Sequence, residues 1–196
     1  GVLLPSLEDY FFGRLAFVIE KALLSRDYRP LFCSTENSPH KEADYLSMLT
    51  AQRVDGLLMV PTLATQGSIE QIQAVTDKPT PTVLLEAGIP ALNVSQVIPA
   101  NRQGGYKAGL HLLDLGHRDI AIITPGVGQR PPVSGGGYER IAGMQDAFRE
   151  RGVPWKPAFI IDDLKYIEMG YYGARVLVEQ HPQVTAAFAL TDQIAI

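Results

Sequence analysis

Short apolar runs alternate, along the whole of this chain, with longer segments whose apolar residues recur at helical spacing. That alternation limits the possible folds more than any other feature. Runs such as Val2-Leu3-Leu4 and Gly56-Leu57-Leu58-Met59-Val60 suit strands buried on both faces. The helical segments between them suit crossover connections. The regular β-α-β-α order therefore predicts an α/β fold, with parallel sheets flanked by helices.

Asp9 is placed to cap a helix whose apolar positions are Leu15, Val18, Ile19, Ala22 and Leu23. A strand over Pro30–Cys33 follows. Ser38 and Pro39 then read as cap and first residue of a second helix, with Leu46 and Leu49 on its buried face. Strand Gly56–Val60, a helix carrying Ile69, Ile72 and Val75, and strand Thr82–Leu85 repeat the unit. The proline-containing stretch near residues 88–100 reads as a boundary between two lobes, 1–98 and 99–196. Beyond it, helices are expected over Arg102–Leu115 and Tyr138–Arg151, closed by Gly116 and Gly152. Strands Ile120–Thr124, Ala158–Ile161 and Val184–Leu190 and a helix over Glu168–Gln180 complete the pattern. Asp192 reads as the N-cap of one more helix. Because the chain stops soon after, at Ile196, the second lobe reads as truncated.

Composition narrows the function. The net charge is −4, and the 17 Lys and Arg are scattered along the chain. Nucleic-acid binders mass their cations to displace phosphate counterions, so this chain alone is expected to bind DNA poorly. No apolar run is long enough to span a bilayer, and no signal peptide precedes Pro5, so a cytoplasmic protein without membrane contact is expected. Cys33 is the only cysteine, which rules out an internal disulfide and reads as a buried thiol. The four histidines never fall at metal-ligand spacing, so neither metal nor cofactor is expected.

Enzyme motifs are missing as well. In Gly135-Gly136-Gly137-Tyr138-Glu139-Arg140, Arg140 stands where a dinucleotide fingerprint needs its third glycine. No phosphate-cradling G-x-x-x-x-G-K-[ST] loop occurs, and Ser134 lacks the glycine two positions earlier that a nucleophile elbow needs. A catalytic site is therefore not expected.

Ligands of parallel α/β sheets bind beyond the carboxyl ends of the strands. Those ends are the loops Pro5–Asp9, Pro61–Thr65, Glu86–Gly88, Pro125–Gly137, Asp162–Ile167 and Thr191-Asp192. Their polar and aromatic candidates are Asp9, Phe11, Phe12, Glu86, Arg130, Arg140 and Asp192. Each also has a purely structural reading. Asp9 and Asp192 can be helix caps, one of the two adjacent phenylalanines can be core, and both arginines can be solvated surface.

Several segments together resemble the LacI/GalR family of transcription regulators. Leu115-Gly116-His117-Arg118-Asp119-Ile120-Ala121-Ile122-Ile123 is similar to its LGHRxIAxI segment. Asn101-Arg102-Gln103-Gly104-Gly105 with Ala108, His111 and Leu112 is similar to DNxxGGxxAxxHL, and Arg53-Val54-Asp55-Gly56-Leu57-Leu58 to RVDGII. Tyr138–Gly143 resembles the family's xxRxxGF/Y helix start, Thr191–Ala195 its NDxxA, and Asp9-Tyr10-Phe11-Phe12 its NPFF.

The resemblance implies a two-lobed, periplasmic-binding-protein-like fold around an effector cleft. It implies effector contacts at Asp9, Phe11, Phe12, Arg140 and Asp192, a homodimer, and operator DNA bound through a helix-turn-helix head preceding Gly1. The effector would be a sugar or a nucleobase-like molecule. An arginine fork and a carboxylate can grip hydroxyls or a base edge, and an aromatic face can pack on a sugar ring.

This chain departs from the family pattern at four places. Ala100 replaces the Asp of DNxxGG, Ala87 follows Glu86 where many members carry Asp-Arg, and the Pro125–Gly137 loop is longer, which leaves Arg130 unaligned. The aromatic expected before Gly170 falls on Leu164 or Lys165. Two alternatives share parts of the pattern: a periplasmic solute-binding protein feeding a transporter, and a Rossmann-like or flavodoxin-like enzyme.

Overall fold

The computed structural model describes residues 1–62, 66–77, 79–125, 136–156, 158–162 and 166–196. These form two compact units, a first over Gly1–Pro99 and a second that begins at Ala100 and ends at Ile196.

The first unit is a five-stranded parallel sheet in the order β2-β1-β3-β4-β5. Its strands are β1 (Val2–Leu4), β2 (Phe32–Ser34), β3 (Leu57–Met59), β4 (Thr82–Leu85) and β5 (Ser95–Val97). Helices α1 (Tyr10–Leu24), α2 (Pro39–Ala51) and α3 (Gln66–Thr76) connect the first four. All three residues of β1 are buried, as a central strand covered on both faces requires. Successive side chains point to opposite faces, and the core divides accordingly. Leu3, Leu57 and Met59 pack with Leu46 and Leu49 of α2 and Ile72 and Val75 of α3. Val2, Leu4 and Val60 pack on the other side against Phe12, Leu15, Ala16, Ile19 and Leu23 of α1.

One local expectation fails in this unit. Val18 and Ala22 of α1 lie on its solvent side, because Phe12 and Ala16 complete the buried stripe instead. The proline-containing stretch that ends this unit also holds β5, paired in parallel with β4 through Val83↔Ser95 and Leu85↔Val97. As an edge strand with exposed Ser95 and Val97, β5 has no apolar run to betray it.

In the second unit a three-stranded parallel sheet is ordered β7-β6-β8. It contains β6 (Ile120–Pro125), β7 (Ala158–Asp162) and β8 (Ala186–Ala189), with helices α4 (Asn101–Asp114), α5 (Gly136–Glu150), α6 (Tyr166–Gln180) and α7 (Asp192–Ala195). Ile120, Ile122 and Ile123 meet Leu113, Met144, Ala147 and Phe148 in its core. Phe148 packs edge-to-face on Trp155, with ring centroids 5.0 Å apart.

Helices α4 and α5 end at Gly116 and Gly152, whose φ values of +92° and +65° suit the glycine stop expected there. Arg118 then donates to the Leu113 carbonyl at 3.0 Å, an acceptor it shares with the Gly116 N–H at 3.0 Å. The Leu-Gly-His-Arg segment is thus helix-ending chemistry. At the other end of α4, Ala100 occupies the cap position and makes no side-chain cap bond.

Candidate functional site

In the first unit the candidate residues sit at the carboxyl edge of the sheet. Asp9 is the N-cap of α1, and its Oδ1 accepts the Phe11 and Phe12 backbone N–H groups at 2.9 and 3.2 Å. This capping fixes the backbone of the first turn of α1, which carries both rings. Phe12 packs into the core beneath α1, whereas Phe11 remains 51% exposed and meets Phe12 edge-to-face at 5.1 Å. Withdrawing a phenylalanine from water is worth about 1.5–3 kcal/mol, and Phe11 forgoes much of that. Of the pair, Phe11 is the one open to a ligand.

Glu86 follows β4 and is half-buried, with left-handed backbone at φ +61°. That conformation costs a non-glycine residue about 1–2 kcal/mol. The Glu86 N–H donates to the Val97 carbonyl at 3.0 Å, which ties the turn to β5. Gln96 completes the clamp: its Oε1 accepts the Ile89 N–H at 2.7 Å, and its Nε2 donates to the Ile89 carbonyl at 3.0 Å. Asp9 and Glu86 follow β1 and β4, which stand two places apart in the sheet.

The second unit holds the tighter arrangement. Arg140 is the fifth residue of α5. Its Nε donates to Asn101 Oδ1 at 3.0 Å, and Nη1 donates to the Leu190 carbonyl at 2.8 Å. The guanidinium is thereby fixed to the first residue of α4 and to the end of β8. Asp192 comes two residues after Leu190, so the structure brings Arg140 and Asp192 to the same strand end. No ion pair joins them among the described residues.

Asp192 is exposed and is the first residue of α7. The cap position belongs to Thr191, which makes no side-chain cap bond. The expectation that Asp192 is the N-cap is therefore corrected by one residue. Arg130 lies outside the described residues, as do residues 63–65, 126–135 and 163–165 of the loops after β3, β6 and β7.

Packing explains why Arg140 can be held in this way. A Cβ on Gly105 would lie 1.8 Å from the Arg140 carbonyl oxygen, and one on Gly143 would lie 1.8 Å from that of Arg102. The two helices therefore approach backbone to backbone, which brings Asn101, one turn before Gly105, within reach of Arg140. Sequence reading gave Asn101, Gln96 and Gly143 no individual role. Asn101 could have been singled out from the Asn-Arg-Gln-Gly-Gly motif, but nothing local marks Gln96.

Among the described residues no His, Cys, Asp and Glu cluster could hold a metal ion. No helix among them is long and apolar enough to cross a membrane. Cys33 is buried, and burial pushes its thiol pKa up, away from reactivity.

Two parallel α/β units, each presenting polar or aromatic side chains at the carboxyl ends of its strands, define the class: a periplasmic-binding-type ligand-binding protein. The chain belongs to the family described as periplasmic binding proteins and sugar binding domain of LacI family, which matches residues 1–196. It is 32% identical over 191 residues to the HTH-type transcriptional regulator DegA of Bacillus subtilis (strain 168), covering 97% of this chain and 55% of DegA. It is 29% identical over 196 residues to the HTH-type transcriptional repressor PurR of Histophilus somni (strain 2336), covering 100% of this chain and 57% of that protein. The chain thus spans little more than half the length of these relatives, which are named as regulators.

Among solved structures, a LacI family transcriptional regulator from Enterococcus faecium with bound ribose is similar at a TM-score of 0.80 and 27% identity. That match covers 100% of this chain and 67% of the other. A LacI family regulator from Silicibacter pomeroyi shares the fold at a TM-score of 0.82 and 22% identity, covering 100% of this chain and 70% of the other.

Proposed function

We propose that this chain is the effector-sensing domain of a cytoplasmic bacterial transcription regulator. It binds a small polar ligand, a sugar or a nucleobase, at the carboxyl ends of its strands. Occupancy changes the DNA affinity of a helix-turn-helix segment elsewhere in the whole protein. The observation that carries this reading is the guanidinium of Arg140, fixed between Asn101 and the end of β8. Its hydrogen bonds to Asn101 and Leu190 go to neutral oxygens, and no carboxylate pairs with it among the described residues. An arginine held in this way still offers its charge to ligand hydroxyls or an anionic group. The regulator names of the relatives and the ribose bound to one similar structure support the same reading.

Thermal unfolding against a panel of sugars and nucleobases, including D-ribose and D-glucose, tests it. A true effector at about a hundred times its Kd adds roughly 2.7 kcal/mol, a rise of several degrees. A melting temperature unmoved by every compound counts against sensing of these classes.

The same proposal extends to assembly as a homodimer, the form that matches a two-fold operator. The outward side of α1 supports it. Tyr10, Phe17 and Leu24, spaced seven apart, form an exposed apolar stripe in which Tyr10 is 75% and Phe17 52% exposed. Arg14 lies over the Phe17 ring at 5.2 Å. Sedimentation at tens of micromolar is expected to show a dimer, and Phe17→Glu to shift it towards monomer. A wild-type protein that sediments only as monomer removes the proposal.

A further inference from the structure

Below the carboxyl edge of the first sheet, a run of buried polar groups links the ends of β1, β2 and β3. Glu42, in the first turn of α2, is fully buried. Its Oε2 accepts the Thr62 backbone N–H at 2.6 Å, and the Thr62 hydroxyl bonds the same carboxyl. That hydroxyl lies 3.5 Å from the Thr35 hydroxyl, and Thr35 reaches back to the Leu4 carbonyl at 2.9 Å through its N–H and 3.4 Å through its hydroxyl. Leu4 ends β1, Thr35 follows β2, and Thr62 lies just beyond β3. Glu42 Oε1 is buried and has no hydrogen-bond partner among the described residues.

A glutamate in the first turn of a helix normally faces water and complements the helix N-terminus. Glu42 instead turns inward and bonds the backbone of a different segment, at the expense of a desolvated and half-satisfied carboxyl. An apolar residue of the same size would avoid that expense but could not hold Thr62. We propose that Glu42 is a positioning residue: its buried carboxyl fixes the ends of β1, β2 and β3 relative to one another and so shapes the ligand end of the first unit. The proposal rests on the sensing reading for its functional consequence, and on the hydrogen bonds alone for its structural one.

Burial pushes the Glu42 pKa up from 4.5, and the Thr62 hydrogen bonds oppose this in part. Thr35 and Thr62 face the carboxyl, whereas His40, Lys41, Asp44 and Glu36 are all exposed. Above 4.5 and below the raised folded value, the native state binds more protons than the unfolded chain. Stability from this group therefore falls as pH rises through that window, and Glu42→Gln removes the slope.

Amide-resolved hydrogen exchange and pH titration of the full-length protein test the proposal. Glu42→Gln keeps an acceptor for the Thr62 N–H, and Glu42→Ala does not. In the alanine variant, exchange at Thr35 and Thr62 is expected to accelerate about tenfold or more relative to Val83 and Leu84 of β4. In the glutamine variant it stays within about threefold. The wild-type Thr62 amide shift is expected to titrate with a midpoint above 4.5, a titration absent from Glu42→Gln. Exchange in Glu42→Ala that accelerates evenly across the unit, or not at all, overturns the assignment. If that variant does not fold, a Thr62 shift that titrates identically in wild type and Glu42→Gln overturns it instead. Failure of the sensing reading shows separately, as an unmoved melting temperature in the ligand panel, and leaves these exchange and titration outcomes decisive.

Discussion

Gly143→Ala is expected to destabilise the second unit by about 3 kcal/mol or more, an unusually large effect for one methyl group. Its Cβ would sit 1.8 Å from the Arg102 carbonyl oxygen and 2.8 Å from the Tyr106 nitrogen, both backbone atoms that no rotamer change can move. Helix α4 must therefore back away from α5 by more than about an ångström, and close-packed interiors do not deform freely. That retreat opens the contact of Gly109 with Met144 and Ala147, and draws Asn101 away from Arg140. Gly105→Ala meets the same obstacle from the other side, at the Arg140 carbonyl. Once either substitution has parted the helices the second adds little, so the double variant should fall well short of additivity.

Gly104→Ala supplies the control with opposite sign. It faces open space inside a helix, where alanine is favoured by roughly 0.5–1 kcal/mol. Urea unfolding of the wild type and the four variants checks the set, and a Gly143→Ala loss below about 1 kcal/mol would mean that the helices have room to slide.

That contrast marks how far the sequence is legible. The β-α alternation, the buried runs of β1 and β3, and the glycine stops at Gly116 and Gly152 are local, and periodicity or turn chemistry reveals them. The difference between Gly104 and Gly105 is not local. Both stand in one motif, but only the contact partner, α5, distinguishes the glycine that is needed. Strand β5 escapes notice because Ser95-Gln96-Val97 is an edge, so its register comes from β4 and not from its own hydrophobicity. Glu42 looks like an ordinary solvated first-turn acid, and only the tertiary fold shows it bonded to Thr62. Phe11 and Phe12 were separable only to the extent that one had to face inward. The position of Thr191 at the cap, with Asp192 inside the helix, is a one-residue matter of backbone geometry that composition does not set.

Arg140→Ala is expected to weaken effector binding by well over tenfold, about 2–5 kcal/mol if the ligand buries the guanidinium, while the protein stays folded. The size follows from preorganisation. Nε on Asn101 and Nη1 on Leu190 hold the fork in place before any ligand arrives, so little side-chain entropy remains to be lost on binding. Arg140→Lys keeps the charge but cannot span Asn101 and Leu190 with one planar group, and should recover only part of the affinity. Asn101→Ala should lower affinity less, because it loosens the arginine without removing it. The order of affinities expected from calorimetry is wild type, Asn101→Ala, Arg140→Lys, then Arg140→Ala.

Asp192→Asn tests the neighbouring carboxylate at constant size. Because Thr191 and not Asp192 holds the cap position, loss of the charge should cost little stability and should act on the ligand. In the whole regulator, variants that cannot bind should show a DNA response indifferent to effector, since a ligand shifts an equilibrium only by its differential affinity for the two states. Unchanged affinity in both Arg140→Ala and Asp192→Asn would leave Arg140 as a tie between α4 and β8, and would move the ligand contacts to Phe11, Asp9 and Glu86 of the first unit.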